Sequence, residues 1–299
     1  MPPNASSTAL ARSALPSPRA WKARPRRFGL DASMHGSRGR YTLVREIGRG
    51  GSAIVYLATD KRYGRQVAIK VLHERQTSAT VRERFRKETE TMARLRHPNI
   101  LPIHDSGECD GRLFYITPFV AGGTVAGRIQ NDGPLSWPEA TRLITEVAEA
   151  LTEVHAHDIV HLDIKPSNIL LDHGHAVLAD FGIARRVLWG HDASSSGSSP
   201  ISGTPCYMSP EQSVAWKVDR RADVYALGCL LYEMLVGEPP FSGRNARAVC
   251  ARQLMGPVPS ARRAGADIPD RGEAALEQAL AKDPRDRHAT TEHFVSALL

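Results

Sequence analysis

Four polar side chains that lie close together in the sequence constrain the fold of this chain more than any other feature. Asp163, Lys165 and Asn168 fall within six consecutive residues, and Asp180 follows Asp163 by 17 positions. Two carboxylates, an amide and an ammonium are the groups that a phosphoryl-transfer site needs: a base, oxygen ligands for Mg²⁺ and a cation for the migrating charge. A fold that uses them together has to bring both segments into one cleft.

The hydrophobic pattern changes near Gly122-Gly123 and predicts two parts of different class. Before these glycines, short alternating or β-branched runs predict strands at 41–47, 54–58, 66–72, 100–103 and 113–119. A charged amphipathic helix is predicted at 80–95. After the glycines, apolar periodicity predicts helices at 137–155, 224–236, 273–281 and 290–299. A sheet-rich part followed by a helical part indicates an α+β chain of two lobes.

A glycine-rich run lies between the first two predicted strands. Gly48, Gly50 and Gly51 let the backbone approach phosphate oxygens closely and point N–H groups at them, although a plain hairpin turn would look similar. Lys70 lies among apolar residues of the third predicted strand, where burial of an unpaired ammonium would be costly. We therefore expect an anionic partner or ligand for Lys70.

Taken together, these motifs resemble the signature of the eukaryotic-like (Hanks-type) bacterial serine/threonine protein kinases. The matching segments are the glycine-rich loop at 48–55, the lysine strand at 67–70, the catalytic loop at 161–168, Asp180-Phe181-Gly182, and Ser209-Pro210-Glu211 where the family has Ala-Pro-Glu. Ala53 stands at the third glycine of the family's loop. The resemblance covers about residues 41–299.

The resemblance implies a bilobal protein-kinase-like fold of the α+β class. Its small N-lobe is an antiparallel sheet with one main helix, and its larger C-lobe is mostly helical. We place the N-lobe at about 41–119, the hinge at about 118–122 and the C-lobe at about 123–299. Residues 1–40 are expected to be a disordered basic tail, because they offer few large apolar side chains to bury.

The resemblance also implies roles for the four polar side chains. Asp163 is expected to be the base for the substrate hydroxyl, and Lys165 is expected to neutralise charge on the transferring phosphoryl group. Asn168 and Asp180 are expected to hold Mg²⁺, with Mn²⁺ as an alternative metal.

An ATP pocket is implied on the same grounds. Its expected lining residues are Ile47, Gly48, Gly50, Gly51, Val55, Ala68, Lys70, Glu88, Thr117, Phe119, Val120 and Leu170. Lys70 is expected to contact the α and β phosphates and to pair with Glu88 on the following helix; Glu83 and Glu90 are poorer candidates. Thr117 is expected to guard the back of the adenine pocket.

Several residues are expected to support the catalytic loop. By resemblance, Glu211 pairs with Arg287, and Thr204 bonds the catalytic Asp and Lys as in the Ser/Thr branch of the family. Asp223 is expected to anchor the catalytic loop from below, although a helix N-terminal acid favoured by the helix dipole is an alternative. We expect His161 to be a packed structural histidine and not a general base.

Leu162 departs from the family, which usually has an arginine at this position. That arginine binds an activation-loop phosphate and couples phosphorylation to loop order. Leucine forms no such ion pair, so we expect little dependence of activity on phosphorylation through this contact. The serine-rich run at 194–202 leaves two interpretations open: a flexible loop, or a site of autophosphorylation with accompanying self-association.

The net charge of +7 is concentrated in the first 40 residues, which contain eight basic residues and one acid. The remaining 31 basic and 31 acidic residues cancel, so we expect no nucleic-acid partner. For the basic segment, a solvated tail, a true start at Met34 and a transit-type targeting peptide all remain open.

No run of about 18 uncharged apolar residues occurs, so we expect no membrane span. The four cysteines form no CxxC pair, which favours reduced thiols in a cytoplasmic protein.

The leading functional hypothesis is a signalling serine/threonine protein kinase that transfers the γ-phosphate of ATP to hydroxyls of protein substrates. The alternative is a pseudokinase or nucleotide-binding scaffold, which Ala53 and Leu162 keep open. A small-molecule phosphotransferase is less favoured, because the segment 204–211 resembles a peptide groove.

Overall fold

The computed structural model describes residues 40–73, 78–181, 205–214 and 216–299. The expectations for the basic tail, for the serine-rich run at 194–202, for Gly182 and for Thr204 fall outside these ranges. Within them, no helix combines the length and the apolar character needed to cross a membrane.

A five-stranded antiparallel sheet forms the first part of the fold. Its strands are β1 (Tyr41–Arg49), β2 (Ala53–Asp60), β3 (Arg65–Leu72), β4 (Asp105–Cys109) and β5 (Arg112–Pro118), in the spatial order β1-β2-β3-β5-β4. Helix α1 (Ala79–Arg94) lies between β3 and β4 in the chain and is capped by Ser78, whose side chain accepts from Val81 N. The predicted small sheet with one helix is confirmed.

The strand predicted at 100–103 is wrong. Ile100 makes an isolated parallel bridge to Leu178, and Leu101 N donates to Leu178 O (2.9 Å), so this apolar run pairs with the second part of the fold. The true neighbour of β5 is β4, whose sequence is polar and carries no alternating apolar signal. Tertiary pairing therefore decided the edge strand, and local hydrophobicity did not.

The second part of the fold is mostly helical. Its helices are α2 (Val125–Asp132), α3 (Trp137–Ala156), α4 (Pro210–Ser213), α5 (Arg221–Val236), α6 (Ala246–Met255), α7 (Asp270–Ala279) and α8 (Thr291–Leu298). A two-stranded antiparallel sheet, β6 (Ile169–Asp172) and β7 (His175–Leu178), follows α3. The α+β class that the sequence predicts is confirmed by this arrangement.

The C-terminal core is built around α3 and α5. Helix α3 packs against β7, α5 and α8, and the apolar residues of its inner face are all buried: Ala140, Leu143, Ile144, Val147, Leu151 and Val154. Helix α5 is buried on nearly all sides and ends at Gly237, whose φ of +89° is a left-handed cap. These two helices carry or anchor the segments that form the site.

The joint between the two parts passes through Gly122-Gly123. A Cβ added to Gly122 would overlap the carbonyl oxygen of Leu171, a backbone atom that cannot move aside easily. Gly123 has φ of +78°, and its carbonyl accepts from Leu171 N (3.0 Å). The connection after β5 is thereby tied to β6, directly beside the catalytic loop.

Candidate active site

The catalytic loop folds its three polar side chains onto one another. Lys165 Nζ donates to Asp163 Oδ1 and Oδ2 (3.0 and 2.8 Å), and Asn168 Nδ2 donates to Asp163 O and Oδ2 (2.7 and 2.8 Å). A short 3-10 turn, Pro166–Asn168, makes the return that brings Asn168 back to Asp163. The loop lies between α3 and β6, and Ile164 is buried and faces the core. The predicted convergence of these three residues is confirmed.

Asp223, on the first turn of α5, anchors this loop through its backbone. Asp223 Oδ2 accepts from His161 N (2.8 Å), and Oδ1 accepts from Leu162 N (2.9 Å). His155 Nε2 donates to the same carboxylate (2.8 Å). Complete burial disfavours the charged form, but the His155 and backbone contacts outweigh it and hold the pKa of Asp223 below its usual value. The predicted anchoring role is confirmed.

His161 is a packed side chain, as predicted. It is buried, and its ring lies 4.8 Å from the ring of Phe181, the residue after Asp180. This ring contact connects the catalytic loop to the segment that carries the second carboxylate.

Asp180 lies between the two parts of the fold. Lys70 forms an ion pair with Asp180 Oδ1, and Tyr115 Oη donates to the same oxygen (3.2 Å). Burial disfavours the charged form, but the Lys70 ammonium, with Lys165 and Tyr115, outweighs it and lowers the pKa of Asp180. Asp180 is therefore an anion that attracts the cations of both parts.

The backbone connects Asp180 to the metal-ligand candidate Asn168. Ala179 N, just before Asp180, donates to Asn168 O (2.9 Å). The contacts from Lys70 through Asp180 and Asn168 to Asp163 therefore form one continuous group. The structure brings the four expected residues to a shared cleft.

Lys70 forms its ion pair with Asp180 and not with Glu88, the partner that the sequence predicted. The pair of Lys70 and Glu88 does not occur among the ion pairs of the described residues. Asp180 has φ of +65°, and Tyr115 holds its carboxylate on the Lys70 side of the cleft, so the ammonium is already neutralised. Glu83 and Glu90, the poorer candidates, bind Arg86 on the exposed face of α1.

The register of the sheet places the expected nucleotide residues on one face. Val55, Lys70 and Tyr115 lie directly opposite one another across β2, β3 and β5, and Ala68 lies opposite Thr117 two residues along. Residues opposite each other, or two apart, share a face of a sheet. Because Lys70 reaches Asp180, this shared face is the one that faces the cleft.

The remaining expected pocket residues are distributed over β1, the β1–β2 turn, the segment after β5, β6 and α1. Ile47 and Gly48 are on β1, and Gly50 and Gly51 are in the β1–β2 turn. Phe119 and Val120 follow β5, and Leu170 is on β6. Glu88 lies on α1 and is half-buried.

The glycine-rich run is a hairpin turn that is also hydrogen-bonded to His73, the residue after β3. Gly50 N donates to Ala53 O (2.9 Å), which closes the turn between β1 and β2. His73 Nε2 donates to Gly50 O (2.8 Å), and His73 N donates to Ser52 O (3.0 Å). These contacts show the hairpin turn, and a phosphate-binding role for its backbone stays a prediction.

A buried ion pair supports the segment after the cleft. Arg287 Nη1 and Nη2 bind Glu211 Oε1 and Oε2 in parallel, each at 2.8 Å, and both side chains are almost fully buried. The predicted pair is confirmed.

The donor set fits a Mg²⁺ ion. The contacts that Asn168 makes from its side chain within the described residues use the amide nitrogen, so its amide oxygen is available to a metal ion. Within the same residues, the Lys70 and Tyr115 contacts of Asp180 fall on Oδ1, so Oδ2 is the oxygen available to a metal ion. Two hard oxygens suit Mg²⁺, which is held in proteins by one or two carboxylates together with phosphates and water.

The sequence reasoning missed Tyr115, His155 and His73. Tyr115 lies two residues before Thr117, and strand alternation alone would put both on one face. His155 precedes His161 within the same motif-rich region, but its contact with Asp223 depends on how α3 packs against α5. No sequence signal points to His73, since its partner is a carbonyl oxygen of a distant turn.

Residues 41–298 match the family model described as the protein kinase domain. The chain is 38% identical over 256 residues to serine/threonine-protein kinase PrkC of Bacillus subtilis (strain 168), covering 85% of this chain and 39% of that protein. It is 40% identical over 267 residues to serine/threonine-protein kinase PknB of Mycolicibacterium smegmatis, covering 87% and 42%. The chain thus spans about two fifths of the length of these curated relatives.

Among solved structures, the chain resembles Rad53 1-466 in complex with AMP-PNP, with a TM-score of 0.71. The two are 21% identical, and the match covers 87% of this chain and 66% of that chain. At this level of identity the likeness concerns the fold, and it confirms the predicted two-lobed architecture.

Proposed function

The chain belongs to the protein kinase domain family, and from that premise we propose that it transfers the γ-phosphate of ATP to serine or threonine hydroxyls of protein substrates. The observation that carries this proposal is the continuous group of contacts joining Lys70, Asp180, Asn168, Asp163 and Lys165. A nucleotide-binding module without chemistry would not require a partly exposed carboxylate and ammonium held together.

Asp163 is the residue that we assign to the incoming hydroxyl. Its carboxylate is held by Lys165 and Asn168, and its side chain is 30% exposed, so a substrate hydroxyl can reach it. The carboxylate orients the hydroxyl and takes its proton as the hydroxyl oxygen bonds to the γ-phosphorus and the bond from that phosphorus to the bridging oxygen of ADP breaks. Lys165 is close enough to neutralise charge on the transferring group.

Lys70 and the cleft face of the sheet are assigned to the nucleotide. Lys70 is 15% exposed on a strand whose neighbours Ile69 and Val71 are buried, which suits a cation reserved for phosphates. Asn168 and Asp180 would hold Mg²⁺, which would neutralise negative charge on the phosphates and so reduce their repulsion of the attacking oxygen. Mn²⁺ has the same ligand preference and is the expected substitute.

Serine and threonine specificity is supported by the relatives, which are named serine/threonine-protein kinases, and by Lys165 in the catalytic loop. The run Asp-Ile-Lys-Pro-Ser-Asn at 163–168 resembles the Ser/Thr branch of the family, and its Lys165 forms an ion pair with Asp163. We further propose protein substrates, self-association during autophosphorylation and a cytoplasmic location. The location is supported by four free thiols, at Cys109, Cys206, Cys229 and Cys250.

The test is transfer of labelled γ-phosphate to a generic protein substrate. We expect transfer by the wild type and losses of about a hundredfold or more in Asp163→Asn and Asp180→Ala, since each removes a charge that acts on the reacting groups. Asp172→Asn is the matched control, because Asp172 is an exposed aspartate at the end of β6. It should retain wild-type transfer.

Two results would contradict the proposal. Equal transfer by the wild type and by Asp163→Asn would show that the label is moved by something else. Nucleotide binding by the wild type with no transfer to any protein, itself included, would favour the scaffold alternative that Leu162 and Ala53 keep open.

A further inference from the structure

We propose that the hydroxyl of Tyr115 is a positioning group for the carboxylate of Asp180. This inference rests on the proposed function, and it adds a residue that none of the sequence motifs contains. Tyr115 on β5 lies directly opposite Lys70 on β3, so both side chains leave the same face of the sheet. Both of them end at Asp180.

The contacts of Asp180 define what the tyrosine can do. Tyr115 Oη donates to Asp180 Oδ1 over 3.2 Å, and the Lys70 ammonium binds the same oxygen. Lys70 Nζ also lies 5.9 Å from the centre of the Tyr115 ring, at the outer limit of a cation–π contact. Within the described residues, these two contacts fall on one carboxylate oxygen and leave Oδ2 for a metal ion.

Lys70 has a second duty in the proposed reaction, because its ammonium is expected at the α and β phosphates. When it moves there, Oδ1 of Asp180 loses its ionic partner. A partly buried carboxylate oxygen without a donor is unfavourable, and the carboxylate can then rotate about its Cβ–Cγ bond. The Tyr115 hydroxyl stays with Oδ1 and so keeps Oδ2 directed at the metal.

A purely structural role for Tyr115 predicts different behaviour. Its side chain is 6% exposed and packs in the same core as Leu72, Phe85 and Leu113. If packing were its whole role, phenylalanine would serve equally well, because the ring is retained when the hydroxyl is removed. Tyr115→Phe removes the hydroxyl that contacts Asp180 and keeps the ring, so this one substitution distinguishes a positioning role from a packing role.

The experiment compares Tyr115→Phe with Tyr41→Phe in the full chain, by calorimetric titration of AMP-PNP in Mg²⁺ and in EDTA. Tyr41 is a matched control: it is a buried tyrosine on β1 whose hydroxyl contacts Asp105 (3.5 Å), outside the site. We expect Tyr115→Phe to weaken binding in Mg²⁺ about three- to tenfold and to change binding in EDTA less than about twofold. Tyr41→Phe should change both by less than about twofold.

Phosphate transfer at varied Mg²⁺ is the second readout. We expect Tyr115→Phe to need about three- to tenfold more Mg²⁺ for its half-maximal rate and to regain the wild-type rate at saturating Mg²⁺, since the lost group orients a metal ligand. A general defect in folding or packing would not be repaired by the ion.

Three outcomes separate the possibilities. Equal nucleotide affinity and an equal Mg²⁺ requirement in the wild type and Tyr115→Phe would overturn the inference. Equal weakening in Mg²⁺ and in EDTA would also overturn it, because the hydroxyl would then act on the pocket and not on the metal ligand. A wild type that binds AMP-PNP with Mg²⁺ but transfers no phosphate would contradict the proposed function, while the calorimetric comparison would still decide the role of Tyr115.

Discussion

At the scale of single residues, the charged side chains of the cleft form ion pairs that the proposed reaction has to separate. Asp163 is held by Lys165, and Asp180 is held by Lys70. The polar side chains of the site therefore position one another before any nucleotide arrives.

Leu162 shows how backbone strain at this site is balanced. Its φ of +66° is a left-handed conformation that costs a branched residue about 1–2 kcal/mol. Asp223 offsets this cost, because its carboxylate accepts from the backbone N–H groups of both His161 and Leu162. The side chain at position 162 is thus not needed to hold the loop.

We predict that phosphatase treatment changes the transfer rate of the wild type by less than about twofold, because leucine at position 162 cannot bind an activation-loop phosphate. Rates of treated and untreated protein, with loss of phosphate checked by mass spectrometry, measure this directly. Loss of activity on treatment, with recovery after rephosphorylation, would contradict the prediction.

The partner of Lys70 marks the limit of prediction at this scale. The sequence indicates that Lys70 needs an anion, and the structure supplies Asp180 where Glu88 was expected. Both acids are compatible with the motif pattern. The choice between them depends on the orientation of α1 and on the backbone of Asp180, neither of which local sequence determines.

At the scale of elements, the edge of the sheet is secured by a buried carboxylate. Asp60, at the end of β2, accepts from Nε and Nη2 of Arg40 (3.0 and 2.8 Å) and from Arg62 N (3.0 Å). The Arg40 hydrogen bonds outweigh burial and hold the pKa of Asp60 below its usual value. Such a carboxyl stabilises the fold above its unfolded pKa of about 3.9, and the stabilisation is lost as pH falls through the folded pKa.

We predict that Asp60→Asn lowers the free energy of unfolding at pH 7 by about 1–3 kcal/mol, because it removes the charge from a buried hydrogen-bonded pair. The difference from the wild type should begin to shrink as the pH falls below about 4, where the carboxyl of the unfolded chain takes up a proton, and should keep shrinking until the folded carboxyl, whose pKa is lower, is protonated too. Denaturant unfolding at several pH values measures this, with the exposed Asp172→Asn as control. A difference that stays constant with pH would contradict the assignment.

The predictability of the elements follows from their burial patterns. Helix α3 could be predicted because a strong apolar stripe coincides with a serine cap and a proline in the first turn. Helix α6 was missed, because only Val249 and Gln253 of its ten residues are buried and no stripe exists. Strand β4 was missed for the same reason: its residues are polar, and its pairing with β5 is what makes it a strand.

At the scale of the whole molecule, the two parts of the fold are joined at the site by a cation from one part and a carboxylate from the other. Lys70 belongs to the sheet, and Asp180 follows the β6–β7 hairpin of the helical part. The sequence predicted that Lys70 and Asp180 lie in one cleft, because the family resemblance implies that both act on the same nucleotide. It could not predict their direct contact, which depends on how the parts are placed relative to each other.

The position of Asp180 between Lys70 and the catalytic loop leads to the most direct test of the account, a crystal structure of the chain with AMP-PNP and Mg²⁺. We predict an ion bound by Asn168 Oδ1 and Asp180 Oδ2 at about 2.0–2.1 Å, with phosphate oxygens completing its shell. Lys70 Nζ should have left Asp180 for the phosphates, and Tyr115 Oη should remain on Asp180 Oδ1. A nucleotide bound elsewhere, or bound in the cleft with its metal away from Asn168 and Asp180, would contradict the account.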